Sequence, residues 1–203
     1  MNLTSVRLLA AARFAVPAAA ALTLTVGLAA PASASPAYVT RSFGQVYFTA
    51  LPGETNTVTF SSNASGFFVN DSTATLLPGA GCTTVDTHTV RCGAATGVSR
   101  ISAVLGDQND VATNDTAVPS DLVGGAGQDR LIGGTGPDRL TDNDGWVTAP
   151  GTNTFEGRGG NDVIISRNAH FDRVDCGPGL DVAIADPATL DVVVPGTCEV
   201  LSR

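Results

Sequence analysis

The chain has 203 residues, with 19 acidic against 11 basic side chains and a formal net charge of −8 at pH 7. Every basic residue is arginine, so a phosphate-gripping P-loop and Schiff-base chemistry, both built on a lysine amine, are excluded. The acidic balance argues against nucleic acid and anionic membrane as partners.

Residues 1–34 read as a secretory signal. Arg7 and Arg13 give the positive start, residues 14–30 are apolar, and Ala32-Ser33-Ala34 is a small-residue cleavage site. A membrane anchor is the alternative, but Pro17 and Gly27 interrupt the apolar run. No cysteine follows the cleavage site to accept a lipid, and no hydrophobic tail closes the chain. A released, extracellular monomer with no membrane insertion is expected.

Residues 35–104 form a neutral segment, with Glu54, Asp71 and Asp86 balanced by Arg41, Arg91 and Arg100. Strands are expected at 45–50, 56–61, 66–70 and 98–105, where residues alternate or run apolar between Pro-Gly, Asn and Ser punctuation. Val58 and Phe60 share one face there, and Thr57, Thr59 and Ser61 the other. This β-rich segment is expected to cap the acidic second half of the chain; a separate ligand-binding β-domain is the alternative. Tyr38, Tyr47 and Phe67, if grouped on one exposed face, would favour the latter.

The four cysteines of an exported chain are expected to pair, and four cysteines allow three connectivities. Cys82–Cys92 and Cys176–Cys198 are favoured, because each pair is close in sequence and lies within one half. Loops of these sizes stabilise by about 3 kcal/mol each in the chain-entropy model. Zinc or a reactive thiol is the alternative, but there is no Cys-x-x-Cys, and His88 and His170 form no motif.

Residues 105–203 hold sixteen acids against six arginines, and fifteen of the 23 glycines. Residues 124–132 read GGAGQDRLI and residues 133–141 read GGTGPDRLT. Both match G-G-x-G-x-D-x-U-x, where U is a large apolar residue. Degenerate copies surround them. Residues 105–113 keep Gly106 and Asp110; residues 157–165 keep Gly157, Gly160, Asp162 and Ile164; residues 176–184 keep Gly177, Gly179 and Asp181. Weaker copies centre on Ser120, Asn153, Asp172 and Asp191. The first six positions of each nonamer suit a turn in which glycine adopts positive φ. The last three suit a short strand pointing Leu131, Leu140, Ile164 or Ala183 inward. Such strands cannot bury an apolar face alone, so the rungs must stack. Residues 191–195 and Cys198 are expected to close the far end.

This pattern resembles the haemolysin-type calcium-binding repeat, the RTX nonapeptide, over residues 105–195. The plan of the whole chain is similar to that of short secreted bacterial calcium-binding proteins. The resemblance implies an all-β fold, a parallel β-roll or β-helix solenoid preceded by the small β-rich segment, with two nonamers per coil. Loops eighteen residues apart then share a side. That places Asp129 on Asp110, and Asp138 between Ser120 and Asn153 on the opposite side.

Carboxylates stacked about 4.8 Å apart repel by about 1 kcal/mol in water and several-fold more at an effective dielectric near 20. A hard cation taking carboxylate and carbonyl oxygens relieves this, and calcium suits the flexible geometry better than magnesium. The metal positions expected are Asp110, Gly124, Gly125, Gly127, Asp129, Gly133, Gly134, Gly136, Asp138, Gly157, Gly160, Asp162, Gly177, Gly179 and Asp181. The alternative is that the aspartates only cap turns through backbone amides. One or two calcium sites are expected, since Asp138 is read as lacking a carboxylate neighbour.

Asp142-Asn143-Asp144-Gly145 imitates an EF-hand, but no acid closes that loop. The glycine runs fail G-x-G-x-x-G, because Arg130 and Arg139 stand where the last glycine belongs. Neither H-E-x-x-H nor G-x-S-x-G occurs, and His170 and Asp172 fall inside a degenerate nonamer. The abundant carboxylates sit at repeat positions. No enzyme is therefore expected, and calcium is the one partner named. The alternatives are an extracellular carbohydrate-binding or adhesion protein using residues 35–104, with a cell-wall or glycan partner, and a secreted hydrolase.

Overall fold

Alternating apolar residues build two antiparallel pairs before the coils begin. In this computed structural model, which describes residues 36–142 and 151–203, β1 (Ala37–Ser42) pairs with β2 (Gln45–Thr49), and β3 (Thr57–Asn63) with β4 (Gly66–Asp71). The segment read as an export signal lies outside the described residues, as does the tract 143–150, which holds most of the EF-hand look-alike. Val46, Phe48, Val58, Phe60, Phe67 and Val69 are buried, and the rings of Phe48 and Phe60 meet edge-on at 6.3 Å. Phe67 is therefore core, and only Tyr38 and Tyr47 of the three aromatics are exposed.

β5 (Leu76–Pro78) runs parallel to β1. β6 (Thr83–Thr84) and β7 (Thr89–Arg91) form a hairpin closed by the Cys82–Cys92 disulfide. β8 (Arg100–Asp107) and β9 (Val111–Asn114) then lie parallel to β2 and β3. From there, strands alternate between two sheets. β10 (Ser120–Ala126), β12 (Arg139–Thr141), β14 (Val163–Ile165), β16 (Val182–Ile184) and β18 (Val200–Ser202) extend the first. β11 (Arg130–Ile132), β13 (Thr154–Glu156), β15 (Arg173–Asp175) and β17 (Val192–Val193) extend the second. Among the described residues each sheet has nine strands, and every pairing from β8 onward is parallel. The all-β parallel roll is the architecture observed, and the described residues form one compact unit.

Three-residue strands hold only because their middle side chains stack. One column runs Phe48, Ala103, Leu122, Leu140, Ile164, Ala183 and Leu201; the facing one runs Val58, Ala112, Leu131, Phe155, Val174 and Val193. All are buried but the terminal Val193 and Leu201. A fully buried leucine or isoleucine contributes about 1.5–3 kcal/mol. The Cys176–Cys198 disulfide ties the last full coil to the chain end, as the sequence pairing expects.

Candidate metal centre

The residues preceding the coil strands, with Ser120 at the start of β10, fall into two columns. On one side stand Asn56, Asp110, Asp129, Asn153, Asp172 and Asp191; on the other stand Ser120, Asp138, Asp162, Asp181 and Glu199. All but Glu199 are buried. Within a column each side chain after the first accepts the backbone N–H of its counterpart one coil earlier. Asp110 Oδ1 accepts from Asn56 at 2.7 Å, Asp129 Oδ1 from Asp110 at 2.9 Å, and Asn153 Oδ1 from Asp129 at 2.7 Å. On the second side Asp138 Oδ1 accepts from Ser120 at 2.7 Å, Asp162 Oδ1 from Asp138 at 2.8 Å, and Asp181 Oδ1 from Asp162 at 2.7 Å.

The strand geometry explains why an aspartate sits there. A residue of a parallel strand directs N–H and C=O toward the same neighbour. The C=O of Asp138 finds the N–H of Val163 at 2.9 Å, and that of Asp162 finds Val182 at 2.9 Å. The N–H would need a carbonyl where the chain has already turned away. The carboxylate one coil on supplies that acceptor and lengthens the ladder by one bond. Asparagine serves equally, which is why Asn153 keeps the column intact. Ser120, first on its side, instead donates Oγ–H to Asp138 Oδ1 at 2.6 Å.

Two placements differ from the sequence reading. Asn153 stands between Asp129 and Asp172, and the neighbour of Asp138 beyond its coil is Asp162. The cause is one longer coil: Arg139 faces Val163 and Arg130 faces Thr154, each 24 positions on, where other rungs step by 18 or 19. An insertion of any length leaves the alternation of sides unchanged. Asp138, Asp162 and Asp181 thus form an unbroken carboxylate run that fixed spacing concealed. Glu199 extends this run, its Oε2 accepting the Asp181 N–H at 2.6 Å, without belonging to a nonamer.

The glycines also act differently from expectation. Positive φ occurs at Gly125, Gly127, Gly160 and Gly177 but not at Gly124, Gly133, Gly134, Gly136, Gly157 or Gly179. At Gly133 the requirement is space. A Cβ there would stand 2.5 Å from the Gly157 carbonyl oxygen and 2.7 Å from Asp138 Oδ2. One Cβ position is thus bordered by a carbonyl of the next coil and the second carboxylate oxygen of the same nonamer.

Burial dominates the electrostatics. It pushes Asp162 up to about 7, with Asp138 and Asp181 adding like-charge repulsion and the Asp138 N–H pulling the other way. Asp110 is likewise pushed up to about 7 by burial, reinforced by Asp129, Asp71 and Asp107. Asp181 and Asp191 are raised by burial as well. Oδ2 of Asp110, Asp162 and Asp181 is buried without a hydrogen-bond donor. These oxygens, with the carbonyls packed against the repeat glycines, are hard donors of the kind calcium takes, so the residues present fit the ion. Among the described residues no three His, Cys, Asp or Glu side chains converge. Backbone carbonyls must therefore complete any ligand set.

The fold and its two columns define a parallel β-roll with buried, stacked carboxylates. The family model of the RTX calcium-binding nonapeptide repeat (four copies) matches residues 123–146 and 148–168, so this stretch carries haemolysin-type RTX repeats. The match is shorter than the 105–195 expected, although coils with the same ladder continue to β18. No curated protein and no solved structure matches the chain. Of the two histidines, His88 Nδ1 lies 3.0 and 2.9 Å from the carbonyls of Asp71 and Ala74, and His170 lies in the loop before the column residue Asp172.

Proposed function

We propose that this is an extracellular calcium-binding protein whose nonapeptide loops take up Ca2+ to order the β-roll, acting as a structural or interaction module and not as a catalyst. The observation that carries this reading is the pair of columns of buried carboxylates, in which one oxygen of each carboxylate bonds the backbone N–H of the preceding coil. The remaining Oδ2 atoms of Asp110, Asp162 and Asp181 have no donor. Asp129 and Asp138 extend the candidate set, with the carbonyls packed against the repeat glycines as further donors. Calcium supplies positive charge that offsets buried carboxylates. The chain's own part is to hold these oxygens in register through the ladder and to exclude water through its burial. Two disulfides and the RTX repeats support an extracellular setting, where modules of this kind bind at about 10⁻⁴–10⁻³ M.

The test is far-UV circular dichroism of residues 35–203, disulfides intact, titrated with calcium after chelation and with magnesium as control. A calcium-specific gain of β signal or of thermal midpoint is expected. A chain that is equally folded and equally stable with and without calcium refutes the reading.

A further inference from the structure

A second group of buried oxygens lies at the foot of the first column, where residues outside the nonapeptides meet Asp110 of the first degenerate copy. The loop before β3 buries Glu54 and Asn56 completely. Asn56 donates its N–H to Asp110 Oδ1 at 2.7 Å and its Nδ2 to Asp71 Oδ2 at 2.9 Å. Glu54 Oε2 accepts the Leu51 N–H at 2.7 Å, and Asp107 Oδ1 accepts the Gly53 N–H at 2.6 Å. One short loop is thus stitched to Asp71, Asp107 and Asp110. Asp71 Oδ1 is occupied by donors from Thr57, Thr73 and Ala74. Three other oxygens are not: Glu54 Oε1, Asn56 Oδ1 and Asp110 Oδ2 are buried and accept no hydrogen bond.

We propose that Glu54 Oε1, Asn56 Oδ1 and Asp110 Oδ2 form a site for a hard divalent cation of the calcium class. Buried oxygens that lack donors destabilise the fold, and more so when charged. An oxygen-preferring cation satisfies all three at once, using two carboxylates and an amide in the proportions such ions accept. The described ion pairs, Arg100–Asp121, Arg130–Glu156, Arg139–Asp121 and Arg158–Asp115, all lie elsewhere. Burial raises Glu54 and Asp110, and like-charge repulsion from Asp71 and Asp107 adds to both, while the Leu51 N–H and the Asn56 side chain pull Glu54 the other way. The site goes beyond the repeat reading, since no nonapeptide supplies Glu54 or Asn56.

Hydrogen exchange by mass spectrometry separates the two. On adding calcium chloride to the metal-free chain, backbone exchange across 51–57 is expected to slow at least tenfold. Glu54→Gln, which keeps the acceptor for Leu51, is expected to abolish that slowing and leave the response of 124–140 and 157–165 unchanged. Asp107→Asn, which keeps the acceptor for Gly53, is expected to raise the calcium needed several-fold and serves if the first variant does not fold. Slowing at 51–57 without slowing in the repeats removes the repeat function but supports this site. No calcium effect at 51–57, slowing that survives Glu54→Gln, or loss of slowing everywhere in a folded Glu54→Gln chain overturns it.

Discussion

Replacing Asp162 by asparagine separates the two roles of the column. Asparagine retains an Oδ1 that accepts the Asp138 N–H, as Asn153 already does for Asp129 at 2.7 Å. Only the charge is lost. In the metal-free fold Asp162 titrates at about 7, against an ordinary 3.8. A folded value above the unfolded one means that the folded state holds the proton more tightly. Its contribution is therefore fully present below pH 4 and is lost as pH rises through 7. The loss amounts to at most about 4 kcal/mol at pH 8 and almost nothing at pH 4. Urea unfolding of the metal-free Asp162→Asn chain should accordingly show higher stability than the unmodified chain by up to ~4 kcal/mol at pH 8, with the gap closing toward pH 4. Calcium should narrow the gap, and close it only at about a thousand times the dissociation constant, where it adds about 4.1 kcal/mol. An ion at a hundred times its dissociation constant adds about 2.7 kcal/mol to the chain that binds it. A variant that is less stable than the unmodified chain at pH 8 without metal, or whose difference ignores pH, would refute this account of the column.

Two glycines of similar sequence context should respond oppositely to alanine. Gly133→Ala places Cβ against the Gly157 carbonyl and Asp138 Oδ2 and should cost about 1–3 kcal/mol, whereas the nearest atom to a Cβ at Gly159 is 3.9 Å away. Thermal unfolding with and without calcium reads both, and Gly133→Ala should also weaken the calcium increment. Leu140→Ala empties a fully buried place between Leu122 and Ile164 and should cost about 2–5 kcal/mol by urea titration, in calcium and chelator alike. Converting Cys176 and Cys198 to serine opens a closure of 22 residues and should lower stability by about 3 kcal/mol, with increased exchange confined to β16, β17 and β18.

Much of this molecule is local and readable from single residues. The nonamer fixes which side chains enter the core, because a three-residue strand after a tight turn leaves one inward position, and Leu131, Leu140, Ile164 and Ala183 all occupy it. Cysteine proximity likewise picks both disulfides. Coil-to-coil partnership is a different matter. Sequence spacing could not show that Asp138 meets Asp162, since a 24-position coil preserves the alternation of sides while breaking the count. Nor could it show that most repeat glycines make room for a neighbouring carbonyl, because that approach exists only once rungs stack. The burial of Glu54 and Asn56 beneath the first column depends on β3 joining β9, a pairing across more than fifty residues that no short-range pattern encodes. Sequence alone thus set the contents of each rung, while the tertiary structure decided which oxygens share a site, because stacking brings together residues that the chain itself keeps a whole coil apart.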